Sequence, residues 1–266
     1  MRRIVLVAAL AALSAAATAQ TVSDMTYDLQ TRTSIAADWK IAKGLHLEGE
    51  YEMRTRDYLS SWASHRGTLG LTYKFPSGIK AGVDYTYIYH LKSNAGTWNP
   101  RHRVSAHVSY TLKAGDWRFS LKEQLQLTHK TGSVNEYEEP VNALALKSRL
   151  KASYKGLGIF EPYAYVEMRN MLNSAGIKAV QSSVTGNYAN YEFIGYGFYP
   201  PYVNRLRGAL GVEIKFSKAH ALDIYAMEDW CNDRNIDISK DRSTLKSFSF
   251  DPSLNTVIGV GYKFSF

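Results

Sequence analysis

Apolar and polar residues alternate along almost the whole chain from Leu29 onward, with the period of two that is typical of β-strands. The last ten residues show the pattern clearly. One face carries Ile258, Val260, Tyr262, Phe264 and Phe266, and the other carries Val257, Gly259, Gly261, Lys263 and Ser265. A strand of a soluble sandwich can show the same alternation, so the class of fold depends on the other segments.

Eleven segments of this kind follow one another between Leu29 and Phe266. Short turns and longer polar links connect them alternately. The short turns are at 41–44, 76–78, 114–116, 155–158 and 217–220, and the links are at 57–62, 92–99, 130–142, 170–203 and 231–252. Strands of about ten residues with loops of unequal length on the two sides are typical of a transmembrane β-barrel. Strands of a soluble sandwich are shorter and lack this asymmetry.

The strand number predicted for this all-β, antiparallel, up-and-down barrel is twelve, with ten as the alternative. Bacterial single-chain barrels have even numbers of strands. If the short turns and Phe266 are periplasmic, the first of eleven strands would begin outside, which a chain threaded from the periplasm should avoid. We therefore expect Thr21–Tyr27 to add a short strand or to pass through the lumen, unless one segment is miscounted.

The polar face of the strands is heavily charged, so it cannot face lipid. In lipid, a closed barrel turns its apolar face outward and keeps its polar face in the lumen. Aromatic residues lie at the short-turn ends of the segments, as in an interfacial girdle. These are Trp39, Phe75, Trp117, Tyr154, Phe216 and Phe264. A secreted soluble β-protein is the alternative to the membrane barrel.

The N-terminus has the features of a secretory signal peptide. Arg2 and Arg3 precede an apolar run, and Ala17 and Ala19 form a small-x-small cleavage site. We expect residues 1–19 to be removed after Ala19, leaving a single barrel domain over 20–266 and placing the protein in the outer membrane of a Gram-negative bacterium. The formal net charge of +8 includes Arg2 and Arg3, and we expect no nucleic-acid partner.

The closing residues Tyr262-Lys263-Phe264-Ser265-Phe266 resemble the C-terminal strand of outer-membrane β-barrel families. That resemblance implies recognition by the outer-membrane assembly machinery through Tyr262, Phe264 and Phe266. The chain also resembles a domain-of-unknown-function family of barrels. The matching features are Glu50-Tyr51-Glu52-Met53-Arg54, Pro162-Tyr163-Ala164-Tyr165-Val166-Glu167, Arg205-Leu206-Arg207 and Leu222-Asp223-Ile224-Tyr225. This family has no established activity to carry over, so the resemblance supports the fold alone.

Charged residues on the inward positions form the candidate site. They are Arg32, Glu48, Glu50, Glu52, Arg54, Arg56, Arg66, Arg101, Arg103, Lys147, Arg149, Glu161, Glu167, Arg169, Arg205, Arg207 and Glu213. In a narrow lumen, opposite charges from facing walls should pair into a salt-bridge network that fills the barrel. Alternatively, the excess of Arg and Lys lines a narrow channel that favours anionic solutes. The inward Gly259 and Gly261 leave room that Arg32 could cross.

Other chemistry has weaker support in the sequence. We expect no catalytic residue, cofactor or metal, although His90 and His129 are the best placed for a lipid hydrolase or acyltransferase. Cys231 lies among Asp229, Asn232, Asp233 and Asp237 in a predicted extracellular loop with no known metal-binding spacing. The aromatic-rich insert 171–202 could fold into the lumen, extend as a hairpin or bind a glycan or partner.

The sequence thus predicts an integral outer-membrane β-barrel that acts as a narrow, porin-like channel for small or anionic solutes. A non-conducting structural or adhesive barrel is the second hypothesis, and a lipid-modifying enzyme is the third. The expected partners are outer-membrane lipid and the assembly machinery. The sequence does not identify the solute.

Overall fold

A computed structural model describes residues 21–22, 24–92, 96–132, 139–181, 188–197, 202–239 and 245–266. The predicted signal peptide, 1–19, and its cleavage site lie outside the described residues. Within those residues, no helix is long and apolar enough to cross a membrane.

The described residues form β-strands joined mainly by turns. The strands are β1 (Thr21–Val22), β2 (Thr26–Ala42), β3 (Leu45–Arg56), β4 (Ser61–Lys74), β5 (Ile79–Lys92), β6 (Thr97–Ala114), β7 (Trp117–Lys130), β8 (Asn142–Tyr154), β9 (Phe160–Met171), β10 (Ser174–Gln181), β11 (Tyr188–Gly197), β12 (Tyr202–Lys215), β13 (His220–Ile238) and β14 (Leu245–Ser265). Strands β2–β9 and β12–β14 form one closed sheet, in which every neighbouring pair except β14 and β2 is antiparallel. The prediction of an all-β barrel is confirmed.

The barrel has eleven strands, one fewer than the twelve that the even-number rule favours. With an odd number of hairpin-linked strands, the first and last run in the same direction, so closure must be parallel. β14 and β2 pair in this way from Ser253 opposite Thr26 to Ser265 opposite Asp38. We call this pairing the seam.

Within the segment Thr21–Tyr27, which was expected to add a short strand or to pass through the lumen, Thr21–Val22 forms the short strand β1 and Thr26 and Tyr27 belong to β2, but no twelfth barrel strand results. β1 pairs in parallel with β14 through Thr21 and Ser249, on the same edge of β14 that β2 occupies. It therefore extends the line of the first strand. The eleven alternating segments of the sequence correspond to the eleven strands of the barrel.

Two of the predicted links contain strands. β13 and β14 remain paired as far as Ile238 opposite Leu245, so most of 231–252 is a hairpin and Cys231 lies in a strand, not in a loop. Ile236 and Ile238, two residues apart on β13, are buried, as is Leu245, the register partner of Ile238. The insert 171–202 contains the antiparallel hairpin β10–β11, one of the three arrangements expected for it.

The two rims of the barrel differ in their connections. The short-turn rim carries the β2–β3, β4–β5, β6–β7, β8–β9 and β12–β13 turns together with Phe266, and the long-connection rim carries the others. Trp39, Phe75, Trp117 and Phe216 are exposed at the short-turn rim, where the girdle was predicted. Phe266 there makes an edge contact with Trp39, with ring centroids 6.3 Å apart.

A small apolar cluster packs on the inner wall beside the seam. It contains Ala209, Met227 and Val257, against which the rings of Tyr165 and Tyr225 lie. The Tyr225 ring covers Gly259, and a Cβ atom added at Gly259 would lie 2.0 Å from Tyr225 Cζ. The space that the inward glycine leaves is therefore filled by this tyrosine.

We predict that Gly259→Ala lowers the free energy of unfolding by about 1–3 kcal/mol, because the new methyl group must displace a ring held in a packed cluster. Denaturant unfolding followed by tryptophan fluorescence measures this change. Gly208→Ala is the matched control, since a Cβ at Gly208 meets nothing within 4 Å. Equal stability of the two variants would contradict the packing described here.

Candidate functional site

The predicted charged positions lie on the inner wall of the barrel. Thirteen of the seventeen line one of two cavities. Arg32, Arg149 and Glu167 form ion pairs with other inner-wall residues, and Arg56 contacts Asp57 at 3.4 Å. The structure thus brings these residues into one interior. Their functional role stays a prediction.

The larger cavity has a volume of about 870 Å³ and a cationic lining. Twelve Lys or Arg residues line it, against seven Asp or Glu residues. The second cavity, of about 480 Å³, opens at the short-turn rim and has seven Lys or Arg residues against Glu161 and Glu213. Both cavities therefore present a positive surface to a solute.

One ion-pair network fills the part of the interior beside the seam. Glu167 on β9 accepts hydrogen bonds from Arg149 Nη2 at 2.5 Å and Arg207 Nη1 at 2.7 Å. Lys147 Nζ also lies 3.2 Å from the same carboxylate. The Glu167 side chain is only 2% exposed, so three cations enclose a carboxylate that water scarcely reaches.

Asp229 on β13 is the second anion of this network. Its Oδ2 atom lies 2.9 Å from Arg32 Nη2 and 3.0 Å from Arg207 Nε, and its Oδ1 atom lies 3.4 Å from Arg205 Nε. Arg207 thereby joins the two carboxylates. Arg32, on β2, reaches past the intervening β14 at the level of Gly259, which is its register partner. The seam is consequently tied to β13 by a buried ion pair.

Two smaller clusters also pair interior carboxylates with cations. Glu52 lies 2.6 Å from Arg54 Nη2 and 3.9 Å from Arg66 Nε. Asp38 contacts His46 at 2.6 Å, Lys74 at 3.3 Å and Lys263 at 3.6 Å.

The Asp38 cluster lies between the two cavities. Asp38 and Lys263 line the larger cavity, whereas Lys74 lines the smaller one. This ion-pair cluster therefore joins the linings of the two cavities.

Three arginines of the larger cavity have no such partner. Among the residues that the structure describes, no carboxylate oxygen lies within 4 Å of the guanidinium nitrogens of Arg101, Arg103 or Arg169. Arg103 Nε donates to Thr128 Oγ1 at 2.9 Å, and Arg169 Nη2 contacts Met171 Sδ at 3.5 Å. The predicted network thus neutralises only part of the interior charge.

Arginines and lysines are unevenly distributed along the barrel axis. Arg54, Arg101, Arg169 and Arg205 lie near the strand ends at the long-connection rim. Lysines predominate in the cavity at the other rim, namely Lys74, Lys80, Lys113, Lys151, Lys155 and Lys215. A solute that passes through the barrel would meet both sets.

The interior also contains aromatic rings, which the predicted set of charged residues did not include. Lys151 Nζ lies 3.6 Å from the centroid of the Tyr163 ring, and Arg149 Cζ lies 4.5 Å from that of Tyr165. The alternation of β9 would have shown both tyrosines on the inner face, since they share it with Glu161 and Glu167.

A carboxylate on the outer face was missed as well. Glu123 lies between the exposed Leu121 and Leu125 on the outward row of β7 and accepts a hydrogen bond from Ser148 Oγ at 2.6 Å. It interrupts an apolar row in which the alternation predicts a hydrophobic residue.

The histidines considered for catalysis occupy different places. His90 lines the larger cavity, whereas His129 is exposed and its Nδ1 atom lies 2.9 Å from Asn142 Oδ1. In the described part of the chain, no serine, threonine or cysteine is hydrogen-bonded to either imidazole. Cys231 contacts the buried Asp229, and no group of three His, Cys, Asp or Glu residues suited to a metal occurs among the described residues.

We predict that Glu167→Gln destabilises the protein by about 3–5 kcal/mol, because it leaves Lys147, Arg149 and Arg207 without their shared counter-charge. Denaturant titration again gives the free energy of unfolding. Glu213→Gln is the control, since that side chain is 32% exposed and its contact with Lys215 is long, at 3.6 Å. A loss below 1 kcal/mol for Glu167→Gln would show that the network is dispensable.

A search of curated proteins returns no match to this chain. Among solved structures, one similar chain is an anion-selective porin from Comamonas acidovorans, at 13% sequence identity and a TM-score of 0.33. The alignment covers 82% of this chain and 53% of the porin, so the chain spans about half the length of that protein.

A family model for a protein of unknown function, DUF2490, matches residues 29–240. This match runs from the first barrel strand into the β13–β14 hairpin. The chain therefore belongs to the DUF2490 family.

Proposed function

We propose that this protein is an outer-membrane β-barrel that conducts small anionic solutes through its lumen. The observation that carries the proposal is the pairing of a cationic interior cavity with an apolar exterior in one closed sheet. Each half of that observation supports one part of the function.

The exterior supports a place in lipid. Large apolar side chains are exposed on successive strands, among them Leu69 at 64%, Val166 at 60% and Leu210 at 70%. A soluble protein rarely exposes a continuous apolar surface of this extent. Lipid contact removes that surface from water. The closed sheet meanwhile provides hydrogen-bond partners for the backbone N–H and C=O groups of every strand.

The interior supports transport of anions. A cavity with twelve cations and seven anions in its lining attracts anionic solutes and raises their local concentration. Rings of Arg and Lys are the usual basis of anion preference in pores. The protein would then select solutes by charge.

Outer-membrane lipid and the assembly machinery are the proposed partners. Tyr262 and Phe266 are exposed on the outer face of β14 at the short-turn rim. An outward aromatic row on the closing strand is accessible to a machinery that inserts barrels. The export signal over residues 1–19 completes this proposal.

We expect the purified protein to give discrete conductance steps in planar bilayers. Under a KCl gradient, the reversal potential should indicate a preference for chloride over potassium, because mobile anions compensate the surplus cations. The double variant Arg66→Gln/Arg101→Gln should reduce that preference, whereas Ser109→Gln, an uncharged change on the inner face, should not.

Absence of conductance steps from correctly folded protein would contradict the channel. The interior ion pairs and tyrosines would then favour a closed structural barrel. Conductance with a preference for potassium would leave a channel but contradict the anionic solute.

The outer glutamate gives an independent test of lipid contact. We predict that Glu123→Leu stabilises the protein in phosphatidylcholine vesicles by on the order of 1 kcal/mol, because a carboxylate in the apolar belt is unfavourable in lipid. Urea titration of the vesicle-bound protein measures the change. Glu123→Gln, which removes only the charge, should give a smaller gain, and unchanged or reduced stability of the leucine variant would argue against lipid around β7.

A further inference from the structure

We propose that Arg103 and Arg169 form a binding site for a doubly charged oxyanion within the lumen. The inference deepens the channel function proposed above, since it names the class of anion and the residues that hold it. Four observations of the described residues carry it.

The first observation is the convergence of guanidinium groups from separate walls. The charged groups that act most strongly on Arg103 are all arginines, namely Arg54, Arg101, Arg169 and Arg205. Apart from Arg101, which shares β6 with Arg103, they come from β3, β9 and β12. β3 and β9 each lie three strands from β6 around the barrel. β12 is the neighbour of β9, and Arg205 and Arg169 are register partners on these two strands, so the cluster joins separate stretches of the inner wall.

The second observation is the absence of compensation at this level. Glu52 pairs with Arg54 and Arg66, and Asp229 pairs with Arg205. Asp233 is the carboxylate that acts most strongly on Arg169, but it lies beyond 4 Å and its Oδ1 atom accepts a hydrogen bond from Asn204 Nδ2 at 3.0 Å. Arg103 and Arg169 therefore have charge that the described protein atoms do not neutralise.

The third observation concerns their hydrogen-bond donors. Thr128 Oγ1 holds Arg103 through Nε, which leaves the two Nη groups of Arg103 for another acceptor. Arg169 Nε is buried from solvent and has no hydrogen-bond partner. A buried guanidinium donor without an acceptor is unfavourable, and a bound anion would satisfy it.

The fourth observation is space. Arg103 and Arg169 both line the 870 Å³ cavity, together with the polar side chains of Gln126, Thr128 and Asn204. This volume accommodates a phosphate ion or a short dicarboxylate with some water. The lining thus offers charge and neutral hydrogen-bond partners in one place.

These features favour a divalent oxyanion over a halide. A guanidinium presents parallel N–H groups that match two oxygens of a phosphate, a sulfate or a carboxylate. Two arginines on separate strands of the same cavity lining match an anion with several oxygens and two negative charges. A monovalent spherical ion would leave donors unpaired and half of the charge uncompensated.

Binding can be measured by isothermal titration calorimetry on the folded, micelle-solubilised full chain at constant ionic strength. Phosphate, sulfate and succinate are the probes, and chloride is the monovalent comparison. We expect saturable binding of at least one dianion and none of comparable affinity for chloride. Binding of phosphate and sulfate alone identifies tetrahedral oxyanions, and binding of succinate alone identifies dicarboxylates.

Variants locate the site. Arg103→Gln and Arg169→Gln should each weaken dianion binding by about tenfold or more, the effect of losing a charge-assisted hydrogen bond. Arg103→Lys should also weaken it, because lysine keeps the charge but lacks the planar fork. Arg118→Gln is the matched control: it removes the same charge at the short-turn rim, where Arg118 donates to the Gly115 carbonyl oxygen at 2.6 Å, and should leave binding unchanged.

The outcomes separate this site from the channel. Chloride conductance without dianion binding would overturn the site and leave the channel in place. Dianion binding without conductance would support the site and overturn the channel. Equal weakening by Arg118→Gln and Arg103→Gln would overturn the site, because it would show that overall charge alone controls binding.

Discussion

The barrel closes through a parallel seam, because an odd number of hairpin-linked strands leaves the first and last running in the same direction. Everything else in the structure depends on that closure. It confines the charged face of every strand to one lumen and leaves the apolar face outside. The inward Gly259 at the seam admits the Tyr225 ring, and Arg32 is its register partner on β2. The Arg32–Asp229 ion pair then links the seam to β13 across the strand between them.

Enclosure of the charged side chains in the lumen determines which of them pair. Buried carboxylates are stable only when cations and hydrogen bonds surround them, and Glu167 and Asp229 satisfy this condition through Arg207. The lumen contains more arginine than these carboxylates can neutralise. Paired and unpaired charges, which the sequence offers as alternatives, therefore coexist in one interior. Glu167 and Asp229 are enclosed by cations, whereas Arg103 on β6 and Arg169 on β9 have no carboxylate within 4 Å among the described residues.

The alternation of residues in the sequence was sufficient to predict the fold and the inward set of charges, because side-chain direction in a strand is a local property. The strand number depended on how the ends meet, which is non-local, and a rule about even barrels gave twelve where the chain has eleven. Which arginines find a carboxylate depends on register and on contacts across the lumen, so Arg32 and Arg103 look alike in sequence. Glu123 was overlooked because one carboxylate hardly changes an otherwise apolar row.

The central claim is that surplus arginine charge inside the barrel binds anions, and anomalous diffraction from crystals grown with selenate would test it most directly. Selenate is a doubly charged oxyanion whose selenium atom can be located unambiguously. The account predicts an anomalous peak within hydrogen-bond distance of both the Arg103 and Arg169 guanidiniums. A peak confined to the lysines of the short-turn rim, or a lumen without any peak at saturating selenate, would contradict it.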